Sequence, residues 1–264
     1  MEIKDQLQPV RKMARMEVKR RGRLLAVMSG KGGVGKTNIA LNLSIALVAK
    51  GKKVVLVDAD TRLANVDLLV GITPDVGFHD VLLGERSVSD LLIEDPSGLR
   101  ILPGHAGYGH PLDLDQTIPD RLFHEMGRLR FDMEYVLVDA PAGLSEAVLA
   151  LGRMADDVVV VTTPEPTAVS DAYALVKVLS GLDRKVRFGA VINWVRSSEE
   201  AEEVHERLSL VTGHFLGITM EYWGYLLEDR RVRDAVQKQN PFVRAFPRSR
   251  ASLCIKRIAE RILL

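Results

Sequence analysis

The residues Gly30-Lys31-Gly32-Gly33-Val34-Gly35-Lys36-Thr37 have the types and spacing of a phosphate-binding loop, G-x-x-x-x-G-K-[ST]. Glycines at these positions let the backbone fold so that successive N–H groups converge on phosphate oxygens. Lys36 then reaches the β and γ phosphates and the Thr37 hydroxyl holds Mg²⁺, which makes Gly30 through Asn38 the candidate nucleotide-binding stretch. Carboxylates complete the chemistry. Asp58 and Asp60 follow the apolar run Val54–Val57, and Asp139 follows Tyr135–Val138. An aspartate at the end of a buried strand lies on the sheet edge where such a loop opens, so Asp139 reads as the residue that holds Mg²⁺ through its water shell. The chemistry implied is binding and hydrolysis of a nucleoside triphosphate with Mg²⁺.

The elements that must position these residues are legible as alternating short apolar runs and helical patterns. Strands are expected at Leu24–Met28, Val54–Val57, Leu99–Leu102, Tyr135–Val138, Val158–Thr162, Phe188–Asn193 and Phe215–Glu221. They lack polar–apolar alternation, as strands buried on both faces do. Helices are expected at Thr37–Lys50 (closed by Gly51), Pro119–Leu129, Leu144–Met154, Thr167–Leu179 and Ser198–Leu210. Repeated βα units predict an α/β fold with a mostly parallel central sheet of about seven to eight strands and helices on both faces. The binding edge is then at the strands' carboxyl ends.

Lys31 narrows the class, because phosphate binding does not require a second lysine at the start of the loop. The pattern K-G-G-x-G-K-T resembles the deviant loop of MinD/ParA-type P-loop ATPases. That resemblance implies that Lys31 crosses a dimer interface to the partner subunit's nucleotide, with ATP joining two subunits and hydrolysis releasing them. It further implies that Asp60 orients or deprotonates the attacking water and that Asp58 supports the metal shell. Lys31, Lys36 and Asp60 are thus the candidate catalytic residues, and Thr37, Asp58 and Asp139 the candidate metal set. Thr61 to Gly71 is similar to the family's D-L-G-L-A-N-V-D-x-L-x-G stretch, with Arg62 in place of a glycine. Asp139-Ala140-Pro141-Ala142-Gly143 stands where the family has D-T-G-A-G, and Pro141 removes an N–H. Val191-Ile192-Asn193 resembles V-V-N, which implies adenine recognition by the Asn193 amide. Gly224 to Asp229 resembles G-Y-I-P-x-D, which puts Glu228 beside the base.

The resemblance extends to the subgroup that regulates flagellar number and placement (FlhG, FleN and YlxH). It is carried by Gly98 to Pro103, Phe215 to Asp229, Asn240 to Phe242, Phe246 to Ser249 and the amino-terminal Asp5 to Arg11. In that subgroup the amino-terminal element stimulates an FlhF-type GTPase, which implies partner-activating roles for Asp5, Gln6 and Arg11. Flagellar basal-body (C-ring) proteins and an ATP-dependent homodimer are the other implied partners.

Composition bounds the rest. The chain has 264 residues, a formal net charge of +1 and one cysteine, Cys254. A single cysteine excludes disulfide frameworks and Cys-pair metal sites and fits a reducing cytoplasm. Near-zero net charge argues against broad nucleic-acid affinity. Three regions are expected: a basic segment at 1–22, an ATPase domain at 23–250 and an amphipathic helix at 251–264. In that helix Ile255, Ile258 and Ile262 form an apolar stripe flanked by Lys256, Arg257 and Arg261. Such a helix suits either the inner face of the cytoplasmic membrane, occupied in the ATP-bound state, or a place on the sheet. Trp194 and Trp223 read as packing residues, Cys254 as an apolar filler, and His105 and His110 as carrying no metal. Two other functions compete: a DNA-associated partition protein or transcription-regulator antagonist, and an ATP-dependent scaffold with negligible turnover.

Overall fold

The computed structural model describes residues 21–60, 65–104, 118–181 and 186–264. Among these residues eight strands form one sheet: β1 Arg23–Met28, β2 Val54–Asp58, β3 Ile93–Glu94, β4 Arg100–Leu102, β5 Tyr135–Asp139, β6 Asp157–Thr162, β7 Arg187–Val195 and β8 Met220–Leu227. Their spatial order is β3-β4-β2-β5-β1-β6-β7-β8. Every neighbouring pair is parallel except the short edge pair β3 and β4. The expected α/β architecture is therefore present, with the loop-bearing β1 at the centre of the sheet.

The longer helices are α1 Lys36–Val48, α5 Ile118–Asp132, α6 Glu146–Met154, α7 Pro166–Ser180, α8 Ser198–Leu216 and α11 Arg250–Ile262. Shorter ones are α2 Val66–Val70, α3 Phe78–Leu83, α4 Val88–Leu91, α9 Arg230–Gln237 and α10 Phe242–Ala245. They cover both faces of the sheet. Along β1, Leu24, Ala26 and Met28 enter the core layer that holds residues of α5, α6 and α8, while Leu25 and Val27 enter the layer that holds α1 and α11. This two-sided burial is why the strands carry no polar alternation. Helix α1 is buried from Ile39 to Leu47, so it is apolar nearly all round rather than amphipathic. Helix α8 starts where Ser197 accepts the Glu200 N–H, and the Glu200 carboxylate reaches back to accept the N–H of Arg196, the residue before the cap.

Two expectations are corrected. The strand expected at Phe215–Glu221 begins later: α8 continues through Leu216 and is stopped by Gly217 at φ 65, and β8 runs from Met220 to Leu227. The carboxyl-terminal helix is not a separate appendage. Ile255, Ile258 and Ile262 are at most 1% exposed, packed between β8 and α1, so these residues are core and not membrane anchors. The helix is fixed at both ends. Ser249 accepts the Ser252 N–H at its start, and the Ile262 carbonyl at its end accepts from Arg23 Nη1 at 2.9 Å. Arg23 also pairs with Asp157 on β6, so one side chain ties the first strand to the last described helix.

Candidate functional site

The site forms at the carboxyl ends of β1, β2 and β5. The loop leaves β1 and turns into α1 at Gly35, whose φ is 91. Two close approaches fix its glycines. A Cβ on Gly30 would fall 2.1 Å from the Asp171 carbonyl oxygen of α7, and one on Gly35 would fall 2.4 Å from the Asn193 amide nitrogen. No side chain caps the first turn of α1, so its N–H groups remain directed at the loop. The Ser29 hydroxyl donates to the Lys31 carbonyl at 2.7 Å and braces the turn from below.

The parallel register places Asp58 opposite Asp139, which puts two carboxylates side by side on neighbouring strands. Asp58 is 1% exposed and accepts N–H groups of Asp60, Asn65 and Val66, each at 3.1 Å. Burial, reinforced by the neighbouring Asp139 charge, still pushes its pKa up to about 7. Asp139 is pushed up to about 6 by burial, against the hydrogen bond from the Thr37 hydroxyl and the Lys36 charge. Its Oδ1 is buried with no hydrogen-bond partner. Asp60 is half-buried beside this pair.

This arrangement suits a divalent cation with a polyphosphate. Thr37 and Asp139 already touch, Asp58 is adjacent, and an orphan carboxylate oxygen lies between strands whose charge a cation would neutralise. Behind it, the Gly143 N–H donates to the Ser29 carbonyl at 3.0 Å and the Ala140 N–H to Val27 at 3.1 Å. The segment around Pro141 is thus anchored through its neighbours despite the missing donor.

Other expected residues sit differently. The Lys31 ammonium is engaged within its own chain, 2.5 Å from the Glu165 carboxylate at the start of α7 and 3.2 Å from the Thr167 hydroxyl. Asn193 donates to the Val34 carbonyl at 2.8 Å and its side-chain oxygen accepts the Trp194 N–H at 2.9 Å. Its amide therefore ties the end of β7 to the phosphate loop, with a second N–H and a second acceptor site left over. Glu228 is exposed beyond β8, its N–H bonded to the Val195 carbonyl at 2.8 Å. Trp223 is a packing residue, whereas Trp194 is not: it is 45% exposed. Cys254 is buried and burial pushes its thiol up, as befits a filler. Asp5, Gln6, Arg11, Arg62, His105 and His110 lie outside the described residues. Sequence reading missed Glu165, because nothing local links it to Lys31 across 134 positions.

Comparison with known proteins agrees with this geometry. The sequence pattern of the CobQ/CobB/MinD/ParA nucleotide binding domain matches residues 25–242. The antiactivator FleN of Pseudomonas aeruginosa is 38% identical over 239 residues, covering 90% of this chain and 85% of that protein. The flagellum site-determining protein YlxH of Helicobacter pylori is 32% identical, covering 90% and 80%. The septum site-determining protein MinD of Pyrococcus horikoshii, solved in complex with Mg-ADP, superposes with a TM-score of 0.78 at 27% identity, covering 91% and 96%.

Proposed function

Because this chain belongs to the CobQ/CobB/MinD/ParA family of nucleotide-binding domains, we propose that it is a Mg²⁺-dependent ATPase that dimerises on ATP and regulates flagellar number or placement. The observation that carries the ATPase reading is the register of Asp58 with Asp139 beside Thr37 and the orphan Oδ1. Main-chain N–H groups of residues 30–38 and Lys36 hold the phosphates. Thr37 and Asp139 would hold the Mg²⁺ ion, whose charge would offset the negative charge that develops on the phosphates. Asp60 positions the attacking water. Lys31 releases Glu165 and reaches across to the nucleotide of a second copy, supplying a cation in trans. The flagellar assignment is supported by the likeness to FleN and YlxH.

The test is the mass of two variants with ATP and Mg²⁺. Asp60→Ala should be a dimer and Lys31→Ala a monomer by light scattering. Equal masses would reject the trans lysine.

The remaining partners follow from the same reading. The amino-terminal segment activates an FlhF-type GTPase, with Asp5, Gln6 and Arg11 as the acting residues, and basal-body (C-ring) proteins are targets of the dimer. A peptide of residues 1–20 should raise the GTPase rate of such a partner. Gln6→Ala should lower that effect and leave ATP hydrolysis unchanged. A peptide without effect rejects the activating role. Peripheral contact with the inner face of the cytoplasmic membrane also belongs to this reading, but not through the buried stripe of α11. The exposed Arg248, Arg250 and Arg257 supply the charge that anionic lipid attracts.

A further inference from the structure

Strand β7 does not end as a regular strand. Ile192 and Val195 enter the same core layer although they are three residues apart. Strict alternation brings back only every second residue, so one residue has been absorbed between them. The pairing with β8 slips at the same place. The absorbed residue is Trp194, at φ 58. A bulky side chain in the left-handed region is a backbone outlier, and such outliers gather at ligand clamps. Bulges beside active sites re-aim a side chain.

Three hydrogen bonds hold this bulge. The Trp194 N–H donates to the Asn193 side-chain oxygen at 2.9 Å, the Glu228 N–H donates to the Val195 carbonyl at 2.8 Å, and Asn193 itself donates to Val34 of the phosphate loop at 2.8 Å. The bulge is therefore built onto the loop, at the sheet edge where α/β folds take their ligands. The contrast with the second tryptophan is sharp. Trp223 is 3% exposed, its indole N–H bonded to Glu221 at 2.9 Å and its ring against Gly189, where a Cβ would fall 2.0 Å away. Trp194 is nearly half exposed, one residue from the side chain that touches the loop.

We propose that Trp194 is the platform on which the base of the bound nucleotide stacks, held beside the loop by Asn193. The proposal rests on the nucleotide reading of the loop. Stacking on an aromatic ring reads the face of a base and not its edge. It acts only on ligands that carry a base, which separates it from every phosphate contact.

Calorimetric titration of the full chain with ATP and with inorganic tripolyphosphate, each with Mg²⁺, tests it. Trp194→Ala should weaken ATP binding by about fivefold to a hundredfold and leave tripolyphosphate unchanged. Trp194→Phe should keep ATP binding within about threefold, since a smaller aromatic face remains. ATP should also change the tryptophan emission of the wild type, and Trp194→Phe should abolish that change because the buried Trp223 stays silent. Unchanged ATP affinity in Trp194→Ala overturns the platform. So does an equal loss of both ligands, which would make the bulge a support for the loop alone. A wild type that binds tripolyphosphate but not ATP rejects the platform and keeps the phosphate loop, whereas one that binds neither rejects the nucleotide reading itself.

Discussion

At Asp139 a buried carboxylate accepts a threonine hydroxyl, and its Oδ1 has no hydrogen-bond partner. Its pKa and that of Asp58 are raised to about 6 and about 7 from 3.8, so the folded chain binds these protons more tightly than the unfolded chain. The sign follows: a carboxylate raised on folding opposes stability above its folded pKa, and the opposition fades as pH falls toward the unfolded value. Nucleotide-free protein should therefore gain thermal stability between pH 8 and pH 5, checked by calorimetric melts without Mg²⁺. Asp139→Asn removes the charge. At pH 8 it should be more stable by on the order of 1–3 kcal/mol, roughly 2–5 °C in Tm, while losing Mg²⁺-dependent hydrolysis. A variant that melts lower would show that the carboxylate supports the fold. Individual residues of this kind were legible in sequence because their signals are local: the loop spans eight consecutive positions, and Asp58 and Asp139 end their apolar runs. Glu165 and the bulge at Trp194 were not, because the first depends on a long-range contact and the second on where two strands lose register.

Helix α11 shows what periodicity leaves open. An apolar stripe with basic flanks is the same string of residues whether it meets lipid or a sheet. The sheet takes it here: α11 packs against β8 and α1. Ile258 sits close against Gly224, where a Cβ would fall 2.9 Å from its side chain. Ile258→Ala should cost about 2–4 kcal/mol in chemical denaturation, as large-to-small changes in a closed core do. Deleting residues 251–264 should leave insoluble or far less stable protein, since it uncovers β8 and one side of α1. A soluble truncated chain with an unchanged midpoint would return the helix to the surface. The same limit explains the misplaced start of β8. Phe215 and Leu216 are apolar and follow Gly213, yet Gly213 lies within α8 and Gly217 ends it.

Over the whole molecule, charge is separated in a way the net value conceals. Residues 229–264 hold ten Lys and Arg against three Asp and Glu, although the chain as a whole stands at +1. Charge reversal at Arg250 and Arg257 should abolish co-sedimentation with anionic vesicles at low salt and leave ATP affinity unchanged. Retained sedimentation would exclude this face as the contact. The general architecture was legible because the central parallel strands β1, β2, β5, β6 and β7 are buried apolar runs separated by helices, whereas the surface roles depend on which side of each helix the core has claimed. The tie from Arg23 to the Ile262 carbonyl and the seat of α1 on α11 have a consequence for biosynthesis. The phosphate loop is translated early, yet the helix that carries it rests on residues made more than two hundred positions later. A ribosome-bound chain displays the loop before it has the floor beneath it, with β8 and the outer side of α1 uncovered. Nascent chains arrested before residue 250 should engage chaperones and fail to retain ATP, and that competence should arrive in a single step as α11 clears the exit tunnel.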